Sequence, residues 1–209
     1  MEIRKTTLQD VDTVLDVFAA AKRYMRANGN ALQWGDEYPD RSIVTYDIAC
    51  GSSYVMLENG EIVGTFALFL GEDESYRVIE DGAWHLDQPY GTIHCLASNG
   101  KACGVSKACF DFCTAQIGYL RADTHADNRT MQALLEPMAF KSAARSTPLT
   151  ALRSSHTTTS YTVDRFRRIG SAAWQQYCRS ARLPFGKRAL FWCSFRSQGR
   201  CSNDSRRRR

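Results

Sequence analysis

Apolar residues recur at two spacings along this chain, and the switches between them predict the order of its elements. "MEIRKTT" alternates apolar and polar positions and predicts a first strand. From Leu8 to about Asn28, the residues Val11, Val14, Leu15, Phe18 and Ala19 fall at helical spacing, and Asn28-Gly29-Asn30 ends that run. "ALQWGDEYPD" reads as an aromatic loop, after which Asp40 or Ser42 can cap a short helix reaching about Ala49. "SSYVMLENGEIVGTFALFL" holds two apolar runs around Asn59-Gly60, the pair that favours a tight hairpin turn. "EDESYRVIEDGAWHLDQP" is a polar connection, and "YGTIHCLAS" is a strand. In "VSKACFDFCTAQIG" the residues Val105, Ala108, Cys109, Phe112 and Cys113 share one helical face. "YLRADTHAD" alternates as a strand, and "NRTMQALLEPMAF" begins a helix at Asn128. The order is β, α, α, β-hairpin, β, α, β, α, with no internal repeat.

Beyond residue 141 this patterning fades: "KSAARSTPLTALRSSHTTTSYTV" lacks the apolar alternation of a buried strand pair. Charge changes at the same point. The net charge of +5 combines −8 over residues 1–141 with +13 over residues 142–209. The second segment has fourteen arginines, one lysine and no glutamate. Two readings follow. A basic tail ending "RRRR" would bind nucleic acid with an affinity that falls as salt rises. Alternatively, the bias is that of GC-rich DNA read out of frame from about codon 142. In the shifted frame the codons of Ser142 to Arg153 can encode Cys-Gly-Thr-Ile-Tyr-Thr-Ala-Asp-Gly-Ser-Pro, a strand entering a turn. On either reading the chain divides into a domain over 1–141 and an irregular arginine-rich tail over 142–209, with the closing strands of the domain missing or altered.

The start of the chain reads as strand and helix rather than a signal peptide. No apolar run approaches the roughly 18 residues of a membrane span. A cytoplasmic location is expected, with the eight cysteines as free thiols.

Candidate chemistry concentrates in "SNGKACGVSKACFDFC", residues 98–113. Cys95, Cys103, Cys109 and Cys113 match no zinc spacing, so no metal site is expected. Cys109 and Cys113, four apart on an apolar face, predict core packing. A strand, then Gly100 and Gly104, then a helix leaves unpaired N–H groups that favour an anion. The GK[ST] ending of a Walker loop is absent.

"IHCLASNGKACGVSKACFDFC" followed by "LRADTHADNRTMQALLEPMAF" resembles the GNAT superfamily of N-acetyltransferases, over residues 1–141. The resemblance implies a three-layer α/β fold with a mixed, mostly antiparallel sheet flanked by helices. It implies acetyl transfer from acetyl-CoA to a primary amine by direct attack in a ternary complex. The family's pyrophosphate pattern [Q/R]-x-x-G-x-[G/A] stands here as Lys101-Ala102-Cys103-Gly104-Val105-Ser106, with Lys107 beside it. Asn128 matches the asparagine that bonds the pantetheine arm, and the backbone at Leu96 and Ala97 would pair with its amides. Met138-Ala139-Phe140, after Pro137, replaces the usual "LGF". The tyrosine that donates a proton to the leaving thiolate is replaced by Leu135. His94 and His125 are the candidate bases, and Trp34, Tyr38 and Trp84 the candidate acceptor-side residues. Expected partners are a small-molecule or peptide amine and a second copy in a homodimer, with nucleic acid only if the tail is genuine. The alternatives are a non-catalytic coenzyme A binder and a nucleic-acid-binding module.

Overall fold

The computed structural model describes residues 1–73, 76, 82–135, 141–146 and 158–164. Strand β1 (Glu2–Lys5) leads through a 3-10 turn at Leu8–Asp10 into α1 (Val11–Ala27). The apolar stripe Val11, Val14, Val17, Phe18, Ala21 and Met25 is buried, and Asn28 closes the helix before Gly29 at φ 83°. Helix α2 (Arg41–Ala49) is capped by Asp40, whose carboxylate accepts the Ile43 N–H at 3.0 Å. The Ser42 hydroxyl also donates to Asp40, and these bonds hold that carboxyl below the usual carboxylate range. Strands β2 (Ser53–Glu58) and β3 (Glu61–Leu70) form the expected hairpin, with Asn59 at φ 52° and Gly60 at φ 80°. Then come β4 (Gly91–Ser98), α3 (Val105–Gln116), β5 (Tyr119–His125) and α4 (Arg129–Leu135).

Two further strands follow, β6 (Lys141–Ser146) and β7 (Thr158–Asp164), so of the expectation that the closing strands are missing or altered, the first half is corrected: two strands are present. The sheet runs β1-β2-β3-β4-β5-β7-β6, and β7 pairs antiparallel with all of β5. β7 holds three threonines, Tyr161 and Val163, residue types that suit a strand, and it pairs with the edge of β5 that would otherwise stay uncovered. Pro137 to Phe140, and the tail outside β6 and β7, lie outside the described residues.

All neighbouring strands are antiparallel except β4 and β5. One sheet face carries α3 and α4, around Ile93, Leu96, Cys109, Phe110, Cys113, Leu120 and Leu135. The other carries α1 and α2, around Phe18, Trp34, Val55, Cys95 and Ala97. Cys109 and Cys113 are fully buried, as their spacing predicts. Cys95, Cys103, Cys109 and Cys113 are free thiols, whereas Cys50 is disulfide-bonded, against expectation. Among the described residues, no helix is long and apolar enough to cross a membrane.

The first turn is pinned by charge. Arg4 donates to both Asp10 oxygens at 2.7 and 2.9 Å, and Thr7 donates its N–H and hydroxyl at 2.8 Å. The Arg4 hydrogen bond, offset in part by burial, holds the Asp10 carboxyl well below the usual carboxylate range. A depressed folded-state pKa stabilises above the unfolded value near 4 and is lost as pH falls below it. Asp10→Asn should therefore cost about 1–2 kcal/mol at pH 7, discounted because Arg4 is partly exposed. In thermal melts of wild type and variant from pH 7 down to pH 2.5, the gap should be constant above about pH 4 and narrow progressively below it; a gap that never narrows would show that the ion pair contributes nothing.

Candidate active site

The chemistry gathers where β4 and β5 part. These parallel strands pair only at Gly91↔Leu120 and Thr92↔Arg121. Among the described residues, their facing edges have no strand partner beyond that rung. A bulge in β4 drives the separation. Thr65 pairs with Ala97 and Ala67 with His94, so Cys95 and Leu96 together oppose Phe66. Cys95 takes φ 51°, a left-handed conformation costly for a residue with a Cβ. Such a bulge bends its strand and increases the local twist. The expected backbone segment at Leu96 and Ala97 lies on this bent length, fully buried.

The glycine loop follows directly. Gly100 N–H donates to Ser98 Oγ at 3.1 Å and Lys101 N–H to Asn99 Oδ1 at 3.0 Å, a pair of local turns. Gly104 is the N-cap of α3 at φ 80°, with no side-chain cap on the helix. A Cβ built at Gly104 would meet nothing within 4 Å, so the helix start opens onto free space. Ser106, 1% exposed, has a buried Oγ with no hydrogen-bond partner. Uncapped helix N–H groups, an open glycine and an orphaned hydroxyl fit a phosphate. The two lysines are engaged elsewhere: Lys107 pairs with Asp111 at 2.5 Å, and exposed Lys101 lies 3.5 Å from Glu61. Ala102 is half-buried and Cys103 exposed, while Val105 is buried in the core beneath the loop.

Asn128 opens α4 at the far side of the splay. Its Oδ1 accepts Met131 N–H at 3.0 Å, the N-cap role its position predicts. Its Nδ2 donates to Gln33 Oε1 at 3.0 Å, and Asn30 Nδ2 donates to the same oxygen at 2.7 Å. Tyr24 and Thr130 hydroxyls meet at 3.2 Å. The α1–α2 loop thus reaches across to the α4 start. Sequence reasoning missed Gln33, which carries no spacing signal in a polar loop.

The candidate bases differ. His94 is 0% exposed, with Nε2 at 2.7 Å from Asp73 Oδ2 and Nδ1 buried without a partner. Facing a carboxylate, Nε2 carries the proton, so Nδ1 keeps the lone pair in the neutral ring. His125, at the end of β5, accepts the Asp127 N–H on Nδ1 at 3.2 Å and thereby shapes the turn into Asn128.

The aromatic candidates scatter. Trp34 is 1% exposed and packs edge-on to Phe18 at 5.3 Å, so it is a core residue with no face for an acceptor. Tyr38 stacks edge-on to it and brings its hydroxyl to 3.3 Å from Cys95 Sγ at the bulge. Trp84 lies against Tyr76 and beside Arg121, on the His94 face of the sheet. Tyr76 donates its hydroxyl to Asp123. Asp73, Tyr76, Arg121 and Asp123 went unnoticed in the sequence. The available signal for Arg121 and Asp123 was charge at alternate positions of "YLRADTH", on a strand whose other face carries Leu120 and Ala122.

A mixed sheet opened between two parallel strands, with a glycine loop leading into a helix at the opening, is an architecture this chain shares with solved acetyltransferases. It is the fold of the GNAT-family acetyltransferases. A GNAT-family acetyltransferase from Streptococcus agalactiae 2603 superposes with a TM-score of 0.68 at 23% identity, over 80% of this chain and 96% of that one. A ribosomal-protein-alanine N-acetyltransferase from Brucella melitensis gives 0.53 at 17% identity, over 78% and 99%. The yncA protein of Salmonella typhimurium, solved with its cofactor acetyl-CoA, gives 0.53 at 13%, over 81% and 96%. No protein-family model and no curated protein sequence matches the chain.

Proposed function

We propose that this protein transfers an acetyl group from acetyl-CoA to a primary amine, by direct attack within a ternary complex. The observation that carries the reading is the splay of β4 from β5 beyond Thr92 and Arg121, opening beside the uncapped start of α3. The Gly104–Lys107 amides and Ser106 Oγ would hold the pyrophosphate. The free edge of β4 at Leu96 and Ala97 would hold the pantetheine amides as a substitute strand. Asn128 would add a hydrogen bond once Gln33 releases its Nδ2.

An amine must be neutral to attack, and lysine-like amines are protonated at neutral pH. His94 is the base the geometry favours, its ring held by Asp73 and its Nδ1 buried without a protein partner. His125 is a positioning residue, since its Nδ1 already serves the Asp127 turn. Leu135 is buried in the core and donates no proton to the departing thiolate. The same fact favours a second reading, a coenzyme A binder without turnover.

Calorimetric titration of the full-length protein with acetyl-CoA tests the reading. Saturable binding is expected, weakened about tenfold by Asn128→Ala through the loss of one hydrogen bond in a buried site. A folded protein that ignores acetyl-CoA would overturn it. Binding without thiol release against any amine would select the second reading.

A further inference from the structure

Arg121 is the unusual residue of the sheet. It is 5% exposed, and its guanidinium carbon lies 3.6 Å from the Tyr90 ring, 4.0 Å from Trp84 and 5.5 Å from Tyr119. Among the described residues no carboxylate pairs with it and no acceptor takes its N–H groups. Nε is buried and unpaired, whereas the two Nη atoms at the fork are not among the fully buried atoms. The neighbouring carboxylates are committed: Asp123 accepts from Tyr76 and Asp73 bonds His94.

Burying a guanidinium costs several kcal/mol. Aromatic faces offset part of this, at about 2 kcal/mol or more each when desolvated, but accept none of its five N–H donors. A cation so placed is incomplete without an anion. Its position identifies which one. Arg121 sits on the last rung before β4 and β5 separate. Leu120 and Ala122 point into the α3-side core, so Arg121 and Asp123 share the opposite face with His94. Trp84 links the cage to Tyr76 by donating Nε1–H to its carbonyl at 3.2 Å, and the Tyr90 hydroxyl accepts the Asp73 N–H at 3.0 Å. The cage and the base are thus one contiguous cluster.

We infer that Arg121 is the anion-binding end of the acceptor site, and that the acceptor is a small amine carrying a carboxylate. This rests on the acetyltransferase reading for the word acceptor, though not for the anion site itself. A planar carboxylate matches the fork of the guanidinium in two parallel hydrogen bonds. Arg121 and Asp123 lie two residues apart along β5, roughly 7 Å, which suits an occupant of amino-acid size.

The test is a titration of the full-length protein with the common amino acids and their carboxamides, followed by tryptophan fluorescence because Trp84 touches the guanidinium. At least one acid should saturate the signal at a concentration tenfold or more below its amide. Arg121→Gln should abolish that preference, and Arg121→Lys should retain part of it, with circular dichroism confirming that both fold. If every acid binds no better than its amide, or if the preference survives in Arg121→Gln, the inference is wrong. Acetyl-CoA calorimetry on the same preparations separates the two readings: its failure alongside acid selectivity leaves the anion site standing without the acetyl donor.

Discussion

Gly104→Val should lower acetyl-CoA affinity by about 100-fold while costing only about 1–2 kcal/mol of stability. The two effects have separate causes. At φ 80° a β-branched residue is strained in the left-handed region, which sets the stability cost. Nothing in the protein lies within 4 Å of the added Cβ, so no clash enlarges it. The same open space is where a pyrophosphate would approach the α3 amides. Displacing it forfeits two charge-assisted hydrogen bonds at about 1.5 kcal/mol or more each, and every 1.4 kcal/mol is tenfold. Calorimetry beside a thermal melt reads both. A variant that binds like wild type would remove the phosphate site from this loop.

Gly64→Ala should do the reverse, striking stability first. A Cβ there would come within 2.6 Å of Val105 Cγ1, 2.8 Å of Met56 Cε and 2.9 Å of the Ala97 carbonyl oxygen. The Met56 methyl can move. The Ala97 carbonyl belongs to β4 just past the bulge, and Val105 is the first residue of α3, so neither yields without shifting the site. Overpacking of this kind costs about 2–3 kcal/mol, or roughly 5–10 °C in melting temperature. Acetyl-CoA binding by the folded fraction should weaken as well, since a shift of Ala97 moves the length of β4 that carries the proposed pantetheine edge. An unchanged melting temperature would mean that β3 and β4 are not packed as described.

Gly64 and Gly104 show how differently a site is written in a sequence. Gly104 stands in a loop between a strand and an amphipathic helix, so its need for positive φ is legible locally. Gly64 looks like any small residue in a hairpin strand. Only the close approach of β4 and α3 makes it obligatory. The helices, the Asn59-Gly60 hairpin, the glycine loop and the Asn128 cap were all readable for the first reason. Their signals lie within a few residues of the structure they specify.

Trp34 and Trp84 make the complementary case. Both stand in polar loops and both looked like acceptor-side residues. The α1–α2 loop folds Trp34 into the core against Phe18, while Trp84 is carried to the Arg121 face. Composition along the loop does not encode which side of a sheet it will cover. Misreading β6 and β7 had a related cause. Their apolar alternation is weak, but β7 carries Thr, Tyr and Val, and the β5 edge that partners it is not visible in any local pattern.

By itself, then, the sequence determined the element order to β5, the hairpin turn, the glycine loop before α3 and the family resemblance. Each rests on periodicity or turn chemistry of short range. The tertiary structure decided the rest: the bulge at Cys95, the parting of β4 from β5, the bridge from Gln33 to Asn128, and the gathering of Asp73, His94, Tyr76, Trp84 and Arg121. These residues are brought together from separate strands and loops by strand pairing and core packing. No local pattern records such a meeting, because the free energy that enforces it is shared across the whole sheet.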